Sequence, residues 1–355
     1  MTDDVVELCR DLIRIDTTNT GDLATCAGER AAAEYVAAKL AEVGLEPQIR
    51  ESAPGRTSVV ARFEGTDPGR DALLVHGHLD VVPADPSEWS VHPFSGELRD
   101  GYLWGRGAVD MKDFDAMVLA VVRDWRRRGV RPPRDLVLCF TADEEAGGTY
   151  GARFLVDEHP DLFEGCTEAI GEVSQALGIA LDLDDPEAAI GKLGPIAAFV
   201  AATIRNTANP TRLMAGYKEN VIPSRASATI DCRTLPGRAE EFRTQLRALI
   251  GPDLSVEAIQ HQPALETSFD GPLVEAMVAA LKATDPAARA VPYMLSGGTD
   301  AKSFQRLGIR CFGFAPLRLP PDLNFAALFH GIDERVPVEG LQFGVRVLDR
   351  FLARC

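Results

Sequence analysis

The stretch that decides the fold is Leu73–Pro83, "LLVHGHLDVVP". A short apolar run leads into His76 and His78, and Asp80 follows two residues after the second histidine. The chain holds only six histidines, so two of them at the end of a strand-like run ask for a reason. Imidazole beside buried apolar side chains is costly unless something holds it. A hydrogen-bonded core histidine, a catalytic base and a metal ligand each meet that requirement. An apolar strand that ends in polar residues also suits an open α/β sheet, where ligands gather beyond the carboxyl ends of the strands.

Working outward, helical and strand-like patterns alternate. Val5–Ile15 and Ala27–Val43 read as amphipathic helices, the second closed by Gly44 as a C-cap. Thr57–Gly65, Asp71–Asp80 and Asp135–Glu145 read as strands, and Gly151–Glu158 as a helix. Phe114, Met117, Val118, Val121, Val122 and Trp125 fall on one face of a helix over Asp113–Arg128. The middle of the chain differs. "TRLMAGYKENVIP" and "SRASATIDCRTLPG" predict two half-exposed strands joined near Pro223, then a helix over Glu240–Ile250 and a strand over Leu254–Gln260. From Pro272 the first pattern resumes, with a helix to Lys282, the turn "SGGTDA", the strand "IRCFGF" and a closing helix at Leu341–Ala353. The expected fold class is α/β, with a smaller α+β domain inserted: 1–175 and 265–355 form the larger domain and 176–264 the insert.

Composition narrows the function. A net charge of −16 excludes nucleic acid and anionic membrane surfaces as expected partners. The seven cysteines are scattered, with no C-x-x-C, which fits reduced thiols and a cytoplasmic protein. The acidic, amphipathic start "MTDDVVELCRDLIRI" does not read as a signal peptide.

Acids gather at the ends of the predicted elements. "WGRGAVDMK" places Asp110 in a glycine-flanked turn before a helix. "TADEEAGGTYG" places Glu144 and Glu145 at a strand end, "AIGEV" places Glu172 after another apolar segment, and "FHGIDERVP" places His330 in a late turn. Singly, each has a plainer reading as a satisfied histidine, a solvated turn or a helix cap. Together, two imidazoles and three carboxylates can hold two divalent ions with one carboxylate between them.

The ordered set "HGHLDVVP", "GYLWGRGAVDMK", "TADEEAGGTYGARF", "ENVIPSRASATIDCR", "SGGTDAKSF" and "FHGIDERVP" closely resembles the dizinc aminoacylase and carboxypeptidase family. Its members include acetylornithine deacetylase, succinyl-diaminopimelate desuccinylase, carboxypeptidase G and carboxypeptidase S. The resemblance implies a three-layer zinc-peptidase-like catalytic domain with an inserted lid. It also implies two Zn2+ per chain, with Co2+ or Mn2+ as substitutes. His78 and Glu172 would bind one ion, Glu145 and His330 the other, and Asp110 both. Asp80 would orient His78, and Glu144 would be the general base acting on a bridging hydroxide. Asn220, Arg233, Gly297, Gly298 and Thr299 match substrate-binding positions. The implied activity is hydrolysis of an amide next to a free carboxylate, in an N-acyl-amino acid or small peptide.

One departure stands out. Only 47 residues separate Glu172 from Asn220, fewer than the resemblance leads one to expect, and none of His92, His159 and His261 sits in the context of the family's lid histidine. The lid is therefore expected to be truncated. That favours a monomer over an altered homodimer, and it leaves a metal-binding scaffold with little turnover as the alternative function.

Overall fold

The strand carrying His76 and His78 lies near the middle of a six-stranded mixed sheet. The computed structural model describes residues 1–171, Ala197, 203–292 and 297–355. Two compact units emerge: Met1–Gly178 with Thr267–Tyr293 and Gly298–Cys355, and Ile179–Glu266 with Met294–Gly297.

In the first unit the elements run α1 (Thr2–Arg14), α2 (Arg30–Ala41), β1 (Gln48–Ala53), β2 (Arg56–Phe63), β3 (Ala72–His78), β4 (Glu97–Arg99), β5 (Tyr102–Trp104), α3 (Lys112–Arg128), β6 (Leu136–Thr141), α4 (Ala152–Glu158) and β7 (Cys166–Gly171). The second unit holds β8 (Thr207–Ala215), β9 (Ala226–Arg233) and α5 (Ala239–Ile250). The chain then returns to the first unit with α6 (Pro272–Thr284), α7 (Ala301–Phe304), β10 (Arg310–Gly313), β11 (Arg335–Pro337) and α8 (Val338–Leu352). The main sheet has the order β1-β2-β6-β3-β7-β10. β6, β3, β7 and β10 run parallel, while β2 pairs antiparallel with both β1 and β6. His78 pairs in register with Thr141, so both strands end at one level.

Both faces of the sheet are covered, which is why its central strands are apolar throughout. Leu73, Val75, Leu136, Leu138 and Phe140 join the core formed with α1, α2, α3, α6 and α8. Leu74, Val137, Cys139 and Ala169 face a smaller core with Leu155, Phe163 and Phe304. α3 is buried nearly all round, including Phe114, Met117, Val121 and Trp125. Fully burying each such side chain is worth roughly 1.5–3 kcal/mol. The helix stops at Gly129, whose left-handed φ of 69° lets its N–H turn back to the carbonyls of Trp125 and Arg126. α3 also lies hard against β3. A Cβ at Gly77 would stand 2.1 Å from Asp115 Oδ1, so only glycine fits beside His78.

The fold is α/β, with several differences from the sequence expectations. α2 starts at Arg30, not Ala27, because Gly28 holds a left-handed φ of 81° and the Ala27 and Glu29 N–H groups donate to the Thr18 and Gly55 carbonyls outside the helix. β3 stops at His78, leaving Asp80 beyond the strand. The strand expected at Leu254–Gln260 is absent. That segment joins no ladder, and Leu254 and Ile259 are 65% and 83% exposed, so its apolar residues have no partner strand to define a buried face. The edge strand β1 and the small sheet β11-β5-β4 were not anticipated. In the second unit β8 and β9 form an antiparallel hairpin from Thr207↔Arg233 to Ala215↔Ala226. No helix among the described residues is long and apolar enough to cross a membrane.

Candidate metal centre

His78 ends β3 with its ring held from both sides. Nδ1 stands 2.9 Å from the Asp80 carbonyl, and Nε2 stands 3.1 Å from Asp110 Oδ1. A carbonyl only accepts, so Nδ1 carries a hydrogen and Nε2 is directed at Asp110. The Asp80 carboxylate is 3.6 Å from Nδ1, longer than a hydrogen bond, and is committed elsewhere. Its Oδ1 accepts from Glu144 N–H and its Oδ2 from Glu145 N–H, each at 3.0 Å. Asp80 thus reaches His78 through its backbone and the Glu144–Glu145 turn through its side chain.

That turn is a short 3-10 segment, Glu144–Ala146, entered through Asp143 with φ 66°. His330 and Asp333 also hold left-handed backbone, at φ 55° and 59°. Such conformations are uncommon for non-glycine residues and gather where a site imposes them. His330 Nε2 lies 3.1 Å from Glu145 Oε2 and 3.3 Å from Asp110 Oδ2. One Asp110 oxygen therefore faces His78 and the other faces His330.

The electrostatics follow from this pairing. Burial disfavours an imidazolium at His78, but the hydrogen bond and charge of Asp110, with Glu144 and Asp80 nearby, outweigh it and raise the pKa well above the ordinary value. Hydrogen bonds to Asp110 and then Glu145 lift His330 to about 10. Burial would raise Asp110, yet hydrogen bonds from His330 and His78 hold it below the usual carboxylate range. Burial raises Glu145. His76, on the same face of β3, behaves oppositely: burial lowers it to about 3 and its ring packs on Phe304 at 5.0 Å. It is a core histidine.

The geometry suits a cation. Ligand atoms of His78, Asp110 and Glu145 lie within 4.8 Å of one another. Two donors each about 2.0–2.1 Å from a tetrahedral ion stand roughly 3.3 Å apart, close to the 3.1, 3.3 and 3.1 Å separations around Asp110 and His330. Glu172 lies outside the described residues. Asn220 and Arg233 belong to the second unit and are exposed, with Arg233 Nε on Asp231 at 2.9 Å. Gly297 is grouped with the second unit, and Gly298 and Thr299 with the first. Thr299 Oγ1 accepts from Ala301 N–H at 3.3 Å at the start of α7.

Several supporting residues escaped the sequence reading. Glu334 is fully buried and accepts from Arg106 Nη1 at 2.7 Å, Gly107 N–H at 3.1 Å and Val109 N–H at 2.7 Å. It fastens the loop before Asp110 to the His330 turn. Burial raises its carboxyl to about 7, and it does the same for Asp300, which contacts Thr141 at the end of β6. Asn19 and Arg56 lie behind Asp80. Glu334 lies in "FHGIDERVP" beside His330, so a buried acid there was discoverable. Asn19 in "DTTNTG" carried no comparable signal.

Among curated proteins, aminoacylase-1 of Pongo abelii is 27% identical over 371 positions, spanning 91% of this chain and 89% of its own. The fold matches the M20 family metallo-carboxypeptidase Sso-CP2 of Sulfolobus solfataricus with a TM-score of 0.76 at 17% identity, covering 99% of both chains. It also matches the Bacillus subtilis YXEP protein, a dinuclear metal binding peptidase from the M20 family, with a TM-score of 0.63 at 17% identity over 99% and 97% of the two chains. The pattern of Peptidase family M20/M25/M40 runs through residues 74–354. It takes in the strand, the loop and both turns that meet at Asp110, and on that ground the chain belongs to this family and is a metallohydrolase of the aminoacylase and carboxypeptidase kind.

Proposed function

We propose that the protein hydrolyses an amide bond next to a free carboxylate, in an N-acyl-amino acid or a small peptide. Two divalent cations per chain serve the reaction, zinc by preference with Co2+ or Mn2+ as substitutes. The observation that carries this reading is Asp110, whose two oxygens face histidines from distant parts of the sequence at 3.1 and 3.3 Å. His78 and Glu172 are assigned to one ion, Glu145 and His330 to the other, and Asp110 to both, with Glu172 assigned from sequence alone. When bound, such ions polarise a carbonyl and acidify water.

The chain's own residues do the rest. Glu144 takes a proton from the attacking water and returns it to the leaving nitrogen. Its N–H is tied to Asp80 at 3.0 Å, so the base stands at a fixed place beside the ligand Glu145. Asp80 keeps both in position and, through its carbonyl, fixes the hydrogen on His78 Nδ1. Asn220, Arg233 and the Gly297, Gly298 and Thr299 turn are assigned to the substrate, an amide and a guanidinium being suited to its carboxylate. The seven free thiols are in keeping with a cytoplasmic enzyme.

Residues 176–264 are assigned as a shortened lid. The alignment to aminoacylase-1 runs over 371 positions although this chain has 355 residues and only 91% of them take part. The surplus consists of positions that the relative fills and this chain skips. This keeps a second reading open, a metal-binding scaffold with little turnover.

Elemental analysis after incubation with zinc should approach two ions per chain, and a reproducible value below one overturns the dinuclear assignment. Turnover on N-acyl-amino acids and dipeptides separates enzyme from scaffold. Glu144→Gln should keep its metal and lose about 10²–10⁴-fold in turnover, while His78→Ala should lose metal.

A further inference from the structure

Thr17–Asn19 runs beside the residues that follow β3. Thr17 Oγ1 donates to the Leu79 carbonyl at 2.7 Å, and Asn19 N–H donates to the Val81 carbonyl at 2.8 Å. This sets the Asn19 side chain over Asp80. Its Nδ2 donates to Asp80 Oδ2 at 2.8 Å and lies 3.2 Å from Asp143 Oδ1, while its Oδ1 accepts from Arg56 Nη2 at 2.7 Å and Gly21 N–H at 2.9 Å. A guanidinium and a peptide N–H only donate, so the amide has one possible orientation: oxygen toward Arg56, nitrogen toward the two acids. Arg56 is anchored by Glu29 at 2.5 Å. Asn19 is 4% exposed, Arg56 1%, and Glu29 and Asp80 not at all.

The line Glu29–Arg56–Asn19–Asp80 therefore ends on two consecutive N–H groups, those of Glu144 and Glu145. Asp143, the other acid that Asn19 touches, opens the same turn with its left-handed backbone. Two buried carboxylates repel each other unless donors stand between them; the Asn19 amide bridges both acids, and Arg56 Nη2 adds an ion pair to Asp143 Oδ1 at 3.5 Å. We propose that Asn19, oriented by Arg56, is the positioning residue of the Glu144–Glu145 turn, setting where the base and one metal ligand stand together. The proposal rests on the assignment of Glu144 as base and Glu145 as ligand.

The test compares Asn19→Asp with Asn19→Ala. Asn19→Asp keeps the shape and still accepts from Arg56, but it replaces the bridging donor with a third carboxylate. If Asn19 positions the turn, Asn19→Asp should lose at least as much as Asn19→Ala, about 10–100-fold in kcat with KM within about twofold. Co2+ titration of the resting protein should show the more weakly held ion bound about tenfold or more less tightly. Arg56→Lys, which keeps the charge but not the fork, should fall between these and the parent. A space-filling role gives the opposite order, with Asn19→Asp near the parent and Asn19→Ala impaired, and that order overturns the proposal. Melting curves fix a temperature at which every variant is folded. Glu144→Gln in parallel separates the two ideas. If it is inactive while Asn19→Asp matches the parent in kcat and Co2+ affinity, the positioning role alone fails. If Glu144→Gln stays active, the base assignment fails, and the Co2+ titration still decides whether Asn19 sets Glu145.

Discussion

His330 is the most open of the paired residues, with 55% of its side chain exposed, yet it is lifted to about 10 by Asp110 and Glu145. Its folded pKa lies above the unfolded value near ~6.5. In metal-free protein its pairing therefore stabilises fully below ~6.5 and is lost as pH rises through about 10. Exposure reduces the size of that contribution. Glu334 and Asp300, raised by burial to about 7, act in the same direction, since folding favours their neutral forms. His76 and Lys112, lowered by burial, act the opposite way, below ~6.5 and above about 8 respectively. The net fall in the melting temperature of chelated protein should therefore be clearest between about pH 6.5 and 8, and a climb there contradicts the pairing. Metal binding should show the reverse trend and tighten with pH, because His78 and His330 must release protons to bind. At Glu334 we expect Glu334→Gln to cost about 1–3 kcal/mol, since its amide nitrogen cannot accept and so strands either the Val109 N–H or the Arg106 and Gly107 donors. It should also weaken metal retention, because the loop it fastens carries Asp110. Urea titration and Co2+ titration check the two halves separately.

At the scale of elements, Lys112 shows how α3 holds its neighbours. Its buried Nζ donates to the Leu12 and Ile15 carbonyls at 3.0 and 2.8 Å, closing the end of α1, and burial lowers it to about 8. Lys112→Met should cost about 1–3 kcal/mol by stranding those carbonyls, seen as a lower urea midpoint with an unchanged slope. Elements with strong local signals were legible in the sequence. β2, β3 and β6 are apolar runs because both faces of the sheet are covered, and α3 shows its periodicity. Leu254–Gln260 misled because alternation describes a face and says nothing of a partner strand. β4, β5 and β11, three residues each, are too short to carry a period at all, and β1, "QIRESA", is an edge strand whose polar residues meet solvent.

For the whole molecule, His78, Asp110, Glu145 and His330 were legible because each sits in a motif whose glycines and acids survive the loss of three-dimensional information. Asn19 and Arg56 were not, since their meaning lies only in what the fold sets beside them. The proposed shortening of the middle segment bears on assembly. We expect light scattering to report a monomer in preference to an altered homodimer, and a tight dimer that separates only on denaturation would contradict the shortened-lid reading. A ribosome releases His78, Asp110 and Glu145 well before His330, so a nascent chain carries most of a cation's donors long before the fourth arrives. Closure waits until the segment carrying His330 has emerged and β11 has paired with β5. A chain terminated before residue 330 would then be left with His78 and the acids but without the second histidine, and a fully held site marks a chain that has been translated past that turn.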